Sequence, residues 1–173
     1  MYYIRKFSKP SCVSKIKSLV DARRLDADFL GQDMRTSCNT LSVWKSATLE
    51  AGDLNNAICA ALLASNALET TSFIILNSED LFKANITVDD GERGATGYIG
   101  RESLHANITG LNIGKVLKLI DIYRSTCLDA ARTPVVKKGE FKRFVLEAEK
   151  AGSLNVDALQ EHLRNSINRL LNE

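Results

Sequence analysis

The sequence predicts an α+β or mixed α/β protein, with a small mixed sheet packed with helices and followed by a C-terminal helical hairpin. Short runs rich in β-branched and aromatic residues alternate with segments in which apolar residues recur every three or four positions. The 173 residues, 45% of them apolar and 25% charged, suffice for one hydrophobic core. We assign residues 1–133 to a mixed α/β domain and 134–173 to the hairpin, and packing of the hairpin on the same core stays open as an alternative.

The first half of the chain is expected to contain two helices and three strands. The first helix opens at Ser11, and its apolar residues fall on one face. The second, at 54–65, follows a break and N-cap at Gly52 and Asp53 and is apolar on nearly all sides, which predicts a central position. Residues 26–39 are interpreted as mostly loop. The strands are expected at 2–7, 41–44 and 72–76.

The second half should contain a short helix at 78–84, whose acidic first turn suits the positive end of a helix. Strands are expected at 86–88 and 105–109. The Ala-Asn-Ile-Thr sequence found at both places indicates two antiparallel neighbours, with a duplicated strand as the alternative. Asn112 should cap a long helix that reaches about Ala131 and ends ahead of a proline.

Two further helices, separated by Gly152 and by the cap residue Asn155, are expected in the tail. Each bears a narrow apolar stripe, and isolated helices of this length are only marginally stable. The stripes must therefore be buried, and we expect them to dock on a partner protein or a second copy in preference to the body. They consist of Phe141, Phe144, Val145 and Ala148 on one helix and Leu159, Leu163, Ile167 and Leu170 on the other.

Targeting and redox signals are sparse. No segment approaches the roughly 20 apolar residues that span a bilayer, and the N-terminus lacks the apolar run of a signal peptide. We therefore expect a cytoplasmic protein that does not bind membranes. The cysteines form no close ligand pair and are expected to be unpaired thiols, so neither a metal nor another cofactor is predicted. They are Cys12, Cys38, Cys59 and Cys127.

The segment 89–101 is the most unusual in the chain, because glycine occurs in it at every third position from Gly91 to Gly100. Glycine lets a backbone approach a ligand closely, as phosphate-binding loops require. The spacing matches no phosphate-binding motif, and a mobile hairpin loop is the favoured interpretation. As a candidate ligand or partner loop, it offers Asp89, Asp90, Glu92, Arg93, Gly94, Gly97, Arg101 and His105.

Basic residues concentrate in two patches, at 5–24 and 137–143, whereas acidic residues concentrate elsewhere. The net charge of +2 by itself favours no class of partner. Such patches bind phosphates or an acidic protein, although a solvated surface is the simpler interpretation. The candidate residues are Arg5, Lys6, Lys15, Arg23, Arg24, Lys137, Lys138, Lys142 and Arg143.

The chain contains no recognisable catalytic constellation, and we assign no catalytic residue. We therefore interpret it as a non-catalytic interaction protein, such as an inhibitor, an immunity or antitoxin-like partner, or an accessory subunit. Its partner would be another protein or a second copy of itself. The first alternative is a nucleic-acid-associated protein that uses both basic patches. The second is an enzyme that binds a phosphate-bearing small molecule at the glycine loop 89–101.

Overall fold

A computed structural model describes residues 1–7, 11–19, 39–91 and 93–172. Within these ranges the chain forms an antiparallel sheet of six strands that packs with six α-helices, which confirms the α+β class. The loop expected at 26–39 lies outside the described residues, except for Asn39. In chain order the elements are β1 (Tyr2–Lys6), α1 (Ser11–Lys17), β2 (Leu41–Ser46), α2 (Ala51–Leu63), β3 (Thr71–Asn77), α3 (Ser78–Lys83), β4 (Thr87–Asp89), β5 (His105–Thr109), α4 (Ile113–Cys127), β6 (Val135–Val136), α5 (Lys138–Lys150) and α6 (Glu161–Leu171).

The strands lie in the order β4-β5-β2-β1-β3-β6, and each described pair is antiparallel instead of mixed. The reason is the position of β1. β2 and β3 run in the same direction and are joined through α2, as in a βαβ unit. However, β1 lies between them, and Ile4 pairs with Trp44 of β2 on one side and Ile75 of β3 on the other. No two hydrogen-bonded neighbours are therefore parallel.

The two strands expected near the repeated Ala-Asn-Ile-Thr sequence are antiparallel neighbours, although β4 contains only Thr87, the last residue of the first copy. Thr87 of β4 pairs with Thr109 of β5, and Val88 pairs with Ile108. Their pairing places β4 at one edge of the sheet.

One face of the sheet is covered by α1, α3 and α4. Their apolar side chains share a cluster with Ile74 of β3, and the rings of Phe7 and Tyr123 meet edge to face with centroids 5.8 Å apart. Helix α4 begins as expected, because the Asn112 side chain accepts a hydrogen bond from the backbone of Lys115 at 3.0 Å. It ends at Cys127, before the expected end, and a 3-10 turn follows it.

The opposite face is covered by α2, α5 and α6. Helix α2 begins three residues earlier than expected, because the Glu50 carbonyl accepts the first helical hydrogen bond, from Leu54 at 3.0 Å. Gly52 therefore lies inside the first turn and does not break the helix. Asp53 is not the cap either, and its carboxylate accepts a hydrogen bond from the Thr48 hydroxyl at 3.0 Å.

The expectation that the tail stripes dock on a partner is wrong, because they pack on the body. Phe141, Val145, Leu163 and Ile167 are fully buried within one chain and belong to the same apolar cluster as Ile75 of β3. The tail also begins with a strand that the sequence pattern did not reveal. In β6, Val136 pairs with Thr71 and Val135 with Ser72, so the tail extends the sheet.

The ends of the tail helices agree only in part with the expectation. Gly152 follows α5 with a φ of 65°, the left-handed conformation that glycine tolerates. Asn155 caps a 3-10 turn at Val156–Ala158, whereas α6 begins after Gln160. No helix among the described residues is long and apolar enough to cross a membrane.

Candidate ligand-binding cleft

The glycine segment connects the antiparallel neighbours β4 and β5, as expected of a hairpin loop, and it contacts other elements along residues 94–99. The mobility expected of it stays a prediction. The Thr96 hydroxyl is buried and donates to the Ala60 carbonyl of α2 at 2.9 Å. The Gly97 carbonyl accepts from the backbone of Asn155 at 2.8 Å. The segment therefore ties the end of α2 to the connection between α5 and α6.

Close packing explains two of the glycines. A Cβ atom added to Gly94 would lie 2.5 Å from the Cβ of His105, and one added to Gly97 would collide with the Leu159 side chain. Real Cβ atoms do not approach other heavy atoms so closely. The glycines thus let the segment lie against β5 and the tail, which is a structural use of the close approach that phosphate loops also exploit.

The candidate residues of this segment do not converge on one site. Asp90 forms an ion pair with Lys45 at 3.2 Å, and Asp89 accepts a hydrogen bond from the backbone of Gly91 at 3.0 Å. Arg101 lies over the ring of Tyr98, 5.7 Å from its centroid. Arg93 is exposed, and Glu92 lies outside the described residues. Among the described residues, no three His, Cys, Asp or Glu side chains are grouped so that they could hold a metal ion.

His105 lines a cleft of about 540 Å³ together with residues from the basic N-terminus. Strands β1, β2 and β5 form its floor, the C-terminal end of α2 and the residues after it form one wall, and Ala95 of the glycine segment lines the other. Two candidate regions of the sequence, the basic strand β1 and the glycine segment, therefore meet here. The polar residues of the cleft include Arg5, Lys6, Ser42, Glu69 and His105.

Arg5 and Lys6 give the cleft its positive charge. A guanidinium nitrogen of Arg5 donates to the Ser42 carbonyl at 2.9 Å, which fixes the direction of the side chain. The Lys6 ammonium lies 4.0 Å from the Glu69 carboxylate. Burial lowers the pKa of Lys6 below its ordinary value; Glu69 acts in the opposite direction, and the charge of Arg5 lowers the pKa further.

His105 is held by an aromatic neighbour. Its ring meets Trp44 edge to face, with centroids 5.3 Å apart, because the two residues are directly paired in β5 and β2. Its Nδ1 atom is buried and has no hydrogen-bond partner among the described residues. An unsatisfied buried polar atom is uncommon in proteins. This part of the cleft floor is therefore fixed in place but incompletely hydrogen-bonded.

No known protein family, characterised protein or solved structure matches this chain. The kind of ligand that the cleft could hold must therefore be inferred from its own side chains. Two cations and one carboxylate leave a net positive charge, and a fixed guanidinium is the side chain best matched to the two oxygens of a carboxylate or phosphate. The arrangement is suited to holding an anionic group of another molecule.

The second basic patch divides between a groove and the open surface. Lys138 and Lys142 of α5 line a groove of about 180 Å³ together with Arg169 of α6. Lys137 and Arg143 do not line it, and Arg143 pairs with Glu147 at 3.8 Å instead. Of the remaining candidates, Lys15 lies on α1 at the opposite face of the sheet, while Arg23 and Arg24 lie outside the described residues.

The sequence patterns missed four residues that shape these two surfaces. Ser42, Trp44 and Glu69 were not candidates, and neither was Arg169. The alternation in β2 indicated that Ser42 and Trp44 share a face, but nothing local indicated that β5 lies beside them. No local sequence pattern indicated Glu69 or Arg169. Only the packing of α2 and α6 places Glu69 near Lys6 and Arg169 near Lys138 and Lys142.

Proposed function

We propose that this chain is a non-catalytic interaction protein that holds an acidic group of a partner protein in the cleft of Arg5, Lys6 and His105. The observation that carries the proposal is that two adjacent cations of the central strand line one open cleft, in which Glu69 is the one carboxylate among the described lining residues. An open cationic cleft of this kind suits a carboxylate presented by a larger molecule.

Several features support binding in preference to catalysis. Arg5 is already directed by its bond to the Ser42 carbonyl, which reduces the entropy lost when a ligand binds. The lowered pKa of Lys6 reflects burial, and Glu69 at 4.0 Å acts against it. Such an arrangement is typical of a structural ion pair at the rim of a binding surface. The tail does not contribute to this proposal, because its stripes are buried on the body.

Quantitative affinity capture tests the proposal with three baits: the unchanged protein, Arg5→Ala and Lys150→Ala. Lys150 is exposed at the end of α5 and does not line the cleft, so its variant is the matched control for loss of one cation. We expect a protein partner that is retained by the unchanged bait and the control but lost from Arg5→Ala. Circular dichroism should first show that all three baits are folded.

Two outcomes would replace the proposal. If all three baits retain the same partners, the cleft is not the binding surface. If Arg5→Ala instead abolishes the binding of a nucleotide, measured by calorimetry against the same control, the alternative of a protein that binds a phosphate-bearing small molecule is favoured.

A further inference from the structure

The cleft and the α5–α6 groove lie on either side of one short segment, residues 66–70. Asn66 and Glu69 line the cleft, whereas Leu68 lines the groove. The Lys6 ammonium is 4.0 Å from Glu69, and the backbone N–H of Lys138 donates to the Thr70 hydroxyl at 3.2 Å. The two cationic surfaces are thus neighbours, although the sequence separates them by more than a hundred positions.

The distance between the two surfaces is short on the scale of a peptide. The connection runs from the Lys6 ammonium through Glu69 and Thr70 to the backbone of Lys138, and with successive Cα atoms about 3.8 Å apart it spans no more than about 20 Å. Lys142 lies one helical turn further along α5, which adds about 6 Å. An extended peptide of about six to eight residues covers that distance.

We infer that one extended acidic segment of the partner spans both surfaces, an inference that rests on the function proposed above. One of its carboxylates contacts Arg5 and Lys6 in the cleft. A second one, about six to eight residues away, contacts Lys142 and Arg169 in the groove. The groove has three cations and no carboxylate among its lining residues, so its charge complements an acidic segment.

The other lining residues favour a polypeptide over a nucleic acid. Leu68 and Leu170 give the groove an apolar part on which an aliphatic side chain of a peptide packs. Single-stranded nucleic acids require aromatic faces on which bases stack. Among the described residues that line the two surfaces, the aromatic rings are those of Trp44, which is 6% exposed, and of His105, which packs edge to face against it.

Fluorescence anisotropy with labelled oligoglutamates of four and twelve residues tests the inference at low ionic strength. The four-residue peptide reaches about 14 Å, about half of the longest span between the two surfaces, whereas the twelve-residue peptide reaches about 40 Å and exceeds it. The variants are Arg5→Ala in the cleft and Lys142→Glu in the groove. Arg143→Glu is the matched control for the latter, because it makes the same charge change at the adjacent position, outside the groove. The thermal unfolding of each variant should be recorded first.

Arg5→Ala should weaken the binding of both peptides. Lys142→Glu should weaken the binding of the longer one by about 5- to 10-fold, as reversal of a well-placed charge does, and that of the shorter one less, whereas Arg143→Glu should change the binding of the longer one less than about 2-fold. If Lys142→Glu and Arg143→Glu act alike while Arg5→Ala still weakens binding, the spanning segment is overturned and the proposed function stands. If Arg5→Ala affects neither peptide, the proposed function fails.

Two further outcomes would also overturn the inference. If Lys142→Glu weakens the binding of both peptides equally, the groove is a separate site, and no single segment spans both surfaces. If a twelve-nucleotide oligouridine binds more tightly than the longer peptide at the same ionic strength, and Lys142→Glu weakens its binding, the partner is a nucleic acid.

Discussion

The two faces of the sheet are covered differently. The face under α1, α3 and α4 is closed by side chains such as Tyr123 and Cys127, which are fully buried. The face under α2, α5 and α6 is closed around Phe73 and Ile75, but it opens near Trp44 into the cationic cleft. One face is therefore closed among the described residues, whereas the other combines a core with an open cationic cleft. The following predictions test that contrast.

The largest effect is expected for Phe141→Ala in the tail. Phe141 is fully buried against the sheet, so its truncation should lower the free energy of unfolding by about 3–5 kcal/mol, the usual cost of such a cavity. Urea denaturation measures the loss. Arg143→Ala, on the exposed side of the same helix, is the control and should change stability by less than about 0.5 kcal/mol. A small loss for Phe141→Ala would mean that the tail does not complete the core.

Ile74 and Ile75 allow a direct comparison of the two faces. They are adjacent in β3, both fully buried, and belong to opposite clusters. Each change to alanine should lower the free energy of unfolding by about 2–5 kcal/mol. If one substitution costs less than about 0.5 kcal/mol, that face is not a packed core. Chemical denaturation of the two variants in parallel provides the measurement.

The closed face should also lose stability at alkaline pH. Burial raises the pKa of Cys127 to about 11 from 9.0, while Lys17 acts weakly against this. Between those values the folded protein keeps a proton that the unfolded chain releases, so stability falls as pH rises through this window. From pH 8 to pH 10.5 the loss should be about 2 kcal/mol.

Cys127→Ala isolates this contribution, because other titrating groups remain in both proteins. Urea denaturation at the two pH values should show a smaller loss for the variant than for the unchanged protein, by about the same 2 kcal/mol. Equal losses would show that Cys127 does not keep its proton in the folded state.

The smallest effect concerns the contact between the glycine segment and His105. Gly94→Ala places a methyl group 2.5 Å from the Cβ of His105, so we expect a loss of about 1 kcal/mol, at the lower end of overpacking. Gly52→Ala is the control, because its Cβ meets nothing within 4 Å, and it should stabilise helix α2 by about 0.5–1 kcal/mol. Thermal denaturation should show a lower melting temperature for Gly94→Ala and a higher one for Gly52→Ala than for the unchanged protein. A Gly94→Ala protein as stable as the unchanged one would contradict the tight packing.

Local patterns predicted the elements but not their assembly. Strand β5 begins and ends at the expected residues, His105 and Thr109, and Asn112 caps α4, because alternation and capping depend on neighbouring residues. Strand β6 was missed because two residues carry no periodicity, and it exists only through its pairing with β3. The expectation of a mixed sheet failed for a similar reason, since no local signal shows that β1 lies between β2 and β3.

The site was predicted in fragments. Arg5, Lys6 and His105 were candidates in two separate regions, and only the pairing of β1 with β2 and of β2 with β5 joins them. The contacts of the glycine segment could not be predicted, because glycine permits both mobility and close packing. Which of the two applies depends on neighbours such as His105 and Leu159, and these are distant or unmarked in the sequence.

The central position of β1 also affects how the chain folds during its synthesis. β1 is made first among the described strands, yet its two partners are β2 and β3, which ends at Asn77. At roughly 5–20 residues per second, a ribosome needs several seconds to pass from β1 to the end of β3. During that time the apolar residues Ile4 and Phe7 have no sheet to join. The charges of Arg5 and Lys6 between them interrupt an otherwise aggregation-prone strand, so the same two cations that line the cleft should also keep the nascent chain soluble.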